Sequence, residues 1–307
     1  MKKRYIAFFA AFMATSIYAI NHTLAKGVMP DLVKPFGFIF LRTAGAAVLF
    51  WGVSLFLPKE KIEKKDWPRL LLATVLGMSI NMLAFFKGLE LSTPINSAVL
   101  VSITPICTLI LSAIIVKEKI TFNKAFGIII GFIGALGLIL FGHEERADAP
   151  NIFLGNSLFV LNAFAYGAYL VIVRKLMMKY SPTTLLKYMF TIATIINFPV
   201  TYPEFSEIQW SVMPLWAFGT IAFVVVGVTF MTYVLNGFAM KQLKASTIGV
   251  FTYVQPLMGI IFAISMGKDQ MSSIKLLAAI LVIGGVYLGS MKPKSAKLSV
   301  QFNFRFL

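Results

Sequence analysis

Asn21, His22, Asn81, Asn96, Thr104 and Gln255 are polar groups set within long apolar runs of this 307-residue chain. Four of the six are amides, which carry donors and an acceptor together. Such a set suits hydrogen bonding to a solute better than bond breaking. His22 can take up and release a proton near neutral pH, or can stand at an interface facing water. Tyr18, Tyr166, Tyr169, Tyr233 and Tyr253 add hydroxyls, each of which wants a partner where it is buried. All twelve acidic residues, from Asp31 to Asp269, fall in connections or at the ends of apolar runs. A carboxylate relay of the kind that many proton-driven carriers use is therefore missing. Arg42 and Lys187 are basic groups inside apolar stretches. Lys187 can snorkel to the nearer surface. Arg42 can pair with a helix C-terminus, with a carboxylate outside, or with a carboxylate on a solute. Two histidines, His22 and His143, and one cysteine, Cys107, make no metal set. No catalytic residue, metal or cofactor is expected.

The elements that must position these groups are ten apolar runs: 5–26, 34–57, 68–89, 94–116, 122–141, 152–173, 183–201, 213–239, 244–266 and 272–291. A helix needs roughly 20 apolar residues to cross the hydrocarbon core, and 58% of this chain is hydrophobic against 13% charged. A lipid bilayer is thus the expected surround. The net charge of +16 does not point to nucleic acid, because the basic residues sit in short connections rather than on an aromatic-studded face. Alternate connections, with both termini, hold 21 of the 28 basic residues. Basic loops stay in the cytoplasm. Both termini are therefore expected inside, in a multi-pass protein of the cytoplasmic (inner) membrane.

The runs fall into five plus five. Shifting the first half by 151 residues lays Pro105 on Pro256, Glu118 on Asp269 and Gly134 on Gly285. Only seven residues are identical over 88–141, so the repeat lies in punctuation. Five spans per unit invert the second unit relative to the first, and inverted repeats place a substrate site near the midplane between them. Each proline removes a backbone donor and clashes with the carbonyl four residues back. Carbonyls near Val101 and Thr252 are expected to be freed for a neighbour, a water or a solute; a plain kink is the other reading. The expected layout is a first repeat over 1–141, a connection over 142–151, a second repeat over 152–291 and a cytoplasmic tail over 292–307.

Two segments carry a family resemblance: PINSAVLVSITPICTLILSAIIVKEKIT over 94–121 and ASTIGVFTYVQPLMGIIFAISMGKDQMS over 245–272. With the tandem five-helix halves, they resemble EamA domains of the drug/metabolite transporter superfamily. Arg42 matches an arginine that the family often has. Tyr18 and Tyr166 stand where its first helices often carry tryptophan, and Lys117-Glu118 stands where glycine-glutamate is usual. The resemblance implies an all-α membrane protein of ten transmembrane helices, two inverted five-helix repeats around a central cavity. It implies a secondary transporter, an exporter or facilitator, of small organic metabolites such as amino acids by alternating access. Tyr18, Asn21, His22, Asn81, Asn96, Thr104, Tyr166, Tyr169, Tyr233, Tyr253 and Gln255 are the expected substrate-binding residues, with Pro105 and Pro256 as gating kinks. The partners are then a small-molecule substrate and lipid. An intramembrane lipid-modifying enzyme and a non-transporting membrane sensor are the alternatives.

Overall fold

The computed structural model describes residues 2–117, 120–142, 147–242, 245–291 and 299–300. Among them the chain makes ten helical rods: α1 (Lys2–Val28), α2 (Pro35–Ser54), α3 (Lys64–Leu91), α4 (Pro94–Ile115), α5 (Phe122–Phe141), α6 (Ile152–Met177), α7 (Pro182–Ser206), α8 (215–242), α9 (Ala245–Ser265) and α10 (Ser273–Ser290). Two short strands, β1 (Ile120–Thr121) and β2 (Ser299–Val300), pair antiparallel. The rest of the expected tail, residues 292–298 and 301–307, lies outside the described residues.

The helix starts follow local rules. Proline opens α2, α4 and α7, where its missing N–H costs nothing. Side-chain oxygens of Thr93, Asn151, Ser181 and Ser272 accept from backbone N–H groups in the first turns of α4, α6, α7 and α10. At the other end, Lys117 after α4 and Gly267 after α9 both take a positive φ, 56° and 63°. That is the left-handed residue that commonly stops a helix.

Seven helices, α1 to α6 and α8, are long and apolar enough to cross a bilayer, and shorter apolar helices cover 254–265 and 273–289. Large apolar side chains such as Val48, Ile133, Ile195 and Ile261 are more than half exposed. Such a surface is at home in lipid and would be a liability in water. The protein is a multi-pass helical membrane protein.

The helices pair across the two halves rather than within them. Alongside α2 lies α7, and alongside α5 lies α10; α1 packs on α8 and α9, while α6 packs on α3 and α4. The α2 start meets the α7 end, where Glu204 Oε2 accepts from the N–H groups of Phe36 and Gly37 at 2.6 and 3.1 Å. These two corresponding helices therefore run antiparallel. So do α5 and α10: Gly127 faces Gly285 and Gly289, and Gly134 faces Ala278 and Leu281. A Cβ on Gly127 would stand 2.5 Å from the Gly285 carbonyl, so the backbones touch. Small residues permit this approach where no hydrophobic force drives helices together.

Candidate functional site

Three rods are irregular, and all three border the same space. In α3 a π-helical segment covers Val75–Ile80, and in α8 another covers Phe223–Met231. They occupy equivalent places in the two halves, and π segments concentrate at functional sites. Each contains a glycine, Gly77 and Gly227. The one at 77 admits Tyr169, whose ring would stand 2.6 Å from an added Cβ. In α4 the helix halts at Ser102 and Ile103 and restarts at Thr104–Pro105, with proline in its first turn. Its counterpart α9 runs through Pro256 unbroken. The two expected kinks are thus unequal.

Between the halves lies a cavity of about 940 Å³, lined from α1, α2, α3, α4, α6, α8 and α9. Asn21 and His22 from α1 and Phe85 from α3 form its deep, buried end. Arg174, exposed on α6, and Ser112 on α4 mark its other end. That end belongs to the side of the basic connections. The walls are mixed: Tyr18, Tyr166 and Tyr233 alternate with Met82, Leu109 and Leu170.

The polar groups divide into those held by protein and those open to the cavity. His22 Nδ1 lies 2.5 Å from Ser97 Oγ, and its ring meets Phe85 edge-on. Asn81 donates to the Asn162 carbonyl at 3.2 Å, and Asn162 donates to the Asn81 carbonyl at 2.9 Å. Tyr18 OH stands 3.0 Å from Thr232 Oγ1, whose own hydrogen goes to the Val228 carbonyl. Asn21 Oδ1 is buried and accepts no hydrogen bond among the described residues. Gln255 has no protein hydrogen-bond partner among the described residues. Arg42 donates from Nε to Thr229 Oγ1 at 2.8 Å and lies over the Phe86 ring at 5.2 Å.

The cavity brings together Tyr18, Asn21, His22, Asn81, Thr104, Tyr166, Tyr233 and Gln255, with Pro105 and Pro256. Two expected residues stand elsewhere. Asn96, in the first turn of α4, is fully buried away from the cavity wall, donating to Ser92 Oγ and Asn156 Oδ1 at 3.3 and 3.2 Å. Tyr169 is buried under Tyr166, rings 5.4 Å apart, and does not reach the cavity wall. The Tyr253 side chain lies outside the described residues. The expectation of a free carbonyl near Val101 is corrected: Thr104 Oγ1 donates to Val101 O at 2.7 Å, so the break in α4 satisfies itself. The sequence reading missed Asn162 and Arg174 as lining residues. Asn162 was legible as an amide within an apolar run; Arg174 was counted only as a loop charge.

This fold and cavity define a class, the multi-pass helical membrane protein with an internal chamber between two sets of helices. The chain belongs to the EamA-like transporter family, whose pattern matches residues 5–140 and again 153–291. It is 25% identical over 234 residues to the uncharacterized transporter YyaM of Bacillus subtilis, covering 76% of each chain. It is 22% identical over 296 residues to YetK of the same organism, 96% of this chain and 89% of that one. An uncharacterized transporter of Archaeoglobus fulgidus is 26% identical over 256 residues, 83% of this chain and 88% of the relative. One solved crystal structure superposes with a TM-score of 0.62 at 17% identity, covering 94% of this chain and 98% of the other. That likeness is one of fold.

Proposed function

We propose that the protein is a secondary transporter that carries small organic metabolites across the cytoplasmic membrane by alternating access, as an exporter or facilitator. The observation that carries this reading is the cavity between the halves, buried at the His22 end and reaching exposed Arg174 at the other. A chamber open to one side is what a carrier presents in one of its two states. The antiparallel pairs α2/α7 and α5/α10 support two inverted repeats, 1–141 and 152–291, with the substrate held where they meet. The basic connections support cytoplasmic termini.

Transport without a proton gradient is part of the proposal, since no Asp or Glu lines the cavity among the described residues. The test is flux in proteoliposomes loaded with amino acids, amines, nucleosides and organic acids, with and without a pH gradient. Saturable flux that ignores the gradient is expected. Flux that requires the gradient overturns the coupling and makes His22 the residue to change; no flux for any solute, from folded protein, overturns transport itself. Gln255→Ala is expected to lower flux at an unchanged melting temperature, because its amide bonds no protein group among the described residues.

A further inference from the structure

Arg42 is a buried cation with unspent donors. It lies seven residues into α2, about 11 Å along the axis from the helix start, and is only 7% exposed. A guanidinium carries five N–H donors in a planar fork. Among the described residues only Nε has a protein acceptor, the Thr229 hydroxyl. Among the described residues no carboxylate lies within ion-pair distance of it. The Phe86 ring offers only a face. A charge held at membrane depth normally finds a partner or faces a functional cavity. Arg42 faces the cavity.

We propose that the cavity selects organic anions, and that Arg42 receives the carboxylate of a small solute through its two terminal nitrogens. The inference rests on the transport reading and names its substrate class. The fork of a guanidinium matches the two oxygens of a carboxylate. One buried cation balances one negative charge, which suits a monocarboxylate better than a phosphate dianion. Arg174 at the exposed mouth adds positive potential that draws anions inward. Beyond the charged end, Met82, Leu109 and Leu170 favour an apolar body on the solute, and Asn21 Oδ1 is an acceptor waiting for a donor. Of the partners the sequence allows Arg42, a carboxylate on a solute is the one that the absence of an ion-pair carboxylate among the described residues leaves.

The test is binding to purified full-length protein in nanodiscs of zwitterionic lipid. The probes are phenylacetate and butyrate against their neutral amides, followed by titration calorimetry and thermal melting. Carboxylates are expected to bind and to raise the melting temperature, while the amides do neither. Arg42→Gln is expected to weaken carboxylate binding roughly 30-fold or more. Arg42→Lys keeps the charge but loses the fork; it should fall between, and it stands in if the glutamine variant does not fold. Amides that bind as well as carboxylates overturn the proposal, as does unchanged affinity in both variants or a cavity that takes none of the carboxylates. Nanodiscs with phosphatidylglycerol separate a lipid headgroup from a free solute: anionic lipid that binds through Arg42 while no carboxylate does also overturns it. Carboxylate binding without flux would sink the transport reading and leave the anion site standing. Flux of neutral solutes that Arg42→Gln does not change would do the reverse.

Discussion

Asn81 on α3 and Asn162 on α6 hold each other, each side-chain amide donating to the other's backbone carbonyl at 3.2 and 2.9 Å. The position 151 residues after Asn81 is Thr232, and Thr232 meets Tyr18 of α1 at 3.0 Å. The α3–α6 and α8–α1 contacts are thus both made through residues 81 and 232. Each has a polar clasp beside a π-helical segment. Asn81 is thus a cavity-wall residue whose amide is engaged by protein, which separates it from Asn21 and Gln255.

Asn162→Ala removes one of these bonds and leaves the Asn81 carbonyl without its donor. A cost of about 1 kcal/mol is expected, in the range of polar contacts between membrane helices. Melting of the purified variant would check it. A loss of flux with no loss of melting temperature would mean that the amide contacts substrate instead.

The α5–α10 seam has no room for an added carbon at Gly285. Gly285→Ala would put a Cβ 2.5 Å from Gly131 N and 2.6 Å from Gly127 O, both backbone atoms that cannot turn aside. Overpacking of this kind costs about 1–3 kcal/mol. Gly137→Ala, which meets nothing within 4 Å, is the control and should melt with the parent protein.

Lys117 ends α4 in the left-handed region, φ 56°, where α9 uses Gly267. A side chain there costs about 1–2 kcal/mol, partly offset by the freedom glycine adds to the unfolded chain. Lys117→Gly is expected to raise stability by up to about 1 kcal/mol. A variant that melts lower than the parent would show that the lysine side chain is needed there.

Asp269 and Lys275 form a buried pair, Nζ to Oδ1 at 3.0 Å, and Asp269 Oδ2 also accepts from Ile95 N at the start of α4. The carboxylate ties the α9–α10 connection to α4. Asp269→Asn removes the negative charge that Lys275 faces, and breaking a buried pair this way costs about 3–5 kcal/mol. Asp269→Asn with Lys275→Met is expected to recover part of the loss, since the lysine charge then no longer has to be buried beside a neutral amide. Equal melting of the single and double variants would contradict the charge account.

On the basic side, Lys179 bridges Glu63 and Asp66 at 2.7 Å each, joining the entry into α3 to the segment that follows α6. Its hydrogen bond holds the Glu63 carboxyl below the usual range, and Asp66 and Glu63 push the Lys179 ammonium up. A lowered carboxylate contributes above its unfolded pKa of about 4.3 and fades as pH falls through the folded value. A raised lysine contributes below its unfolded pKa of about 10.4 and fades as pH rises through the folded value. The melting difference between parent and Lys179→Met should therefore be flat between those limits, shrink in acid and shrink with salt. It should also be small, because all three groups are solvent-screened.

Much of this protein was legible in its sequence, because the bilayer imposes length and apolarity on every crossing segment. The ten runs correspond to ten rods, with ends shifted by a few residues; α6 extends to Met177 where the run stops at 173, as one more polar turn stays helical. The family pattern matches twice, over 5–140 and 153–291, and proline, glycine and acidic residues, which act on the backbone locally, recur in one order in both stretches. Of the polar residues within apolar runs, Tyr18, Asn21, His22, Asn81, Thr104, Tyr166, Tyr233 and Gln255 line the cavity.

The direction each one faces was settled only by packing. In a soluble helix the polar stripe marks the outside. Here lipid and core are both apolar, so the pattern does not say which side of α4 holds Asn96 and which holds Thr104. Asn96 turned to Asn156 and Ser92, Tyr169 slid under Tyr166 into the space left by Gly77, and Thr104 closed the carbonyl that Pro105 opened. The π segments of α3 and α8 were invisible for the same reason: they depend on partners from the other half of the chain. Arg42 shows the division most clearly. Its charge inside an apolar run was plain from the sequence, but that no carboxylate among the described residues stands beside it is a property of seven helices meeting around one cavity.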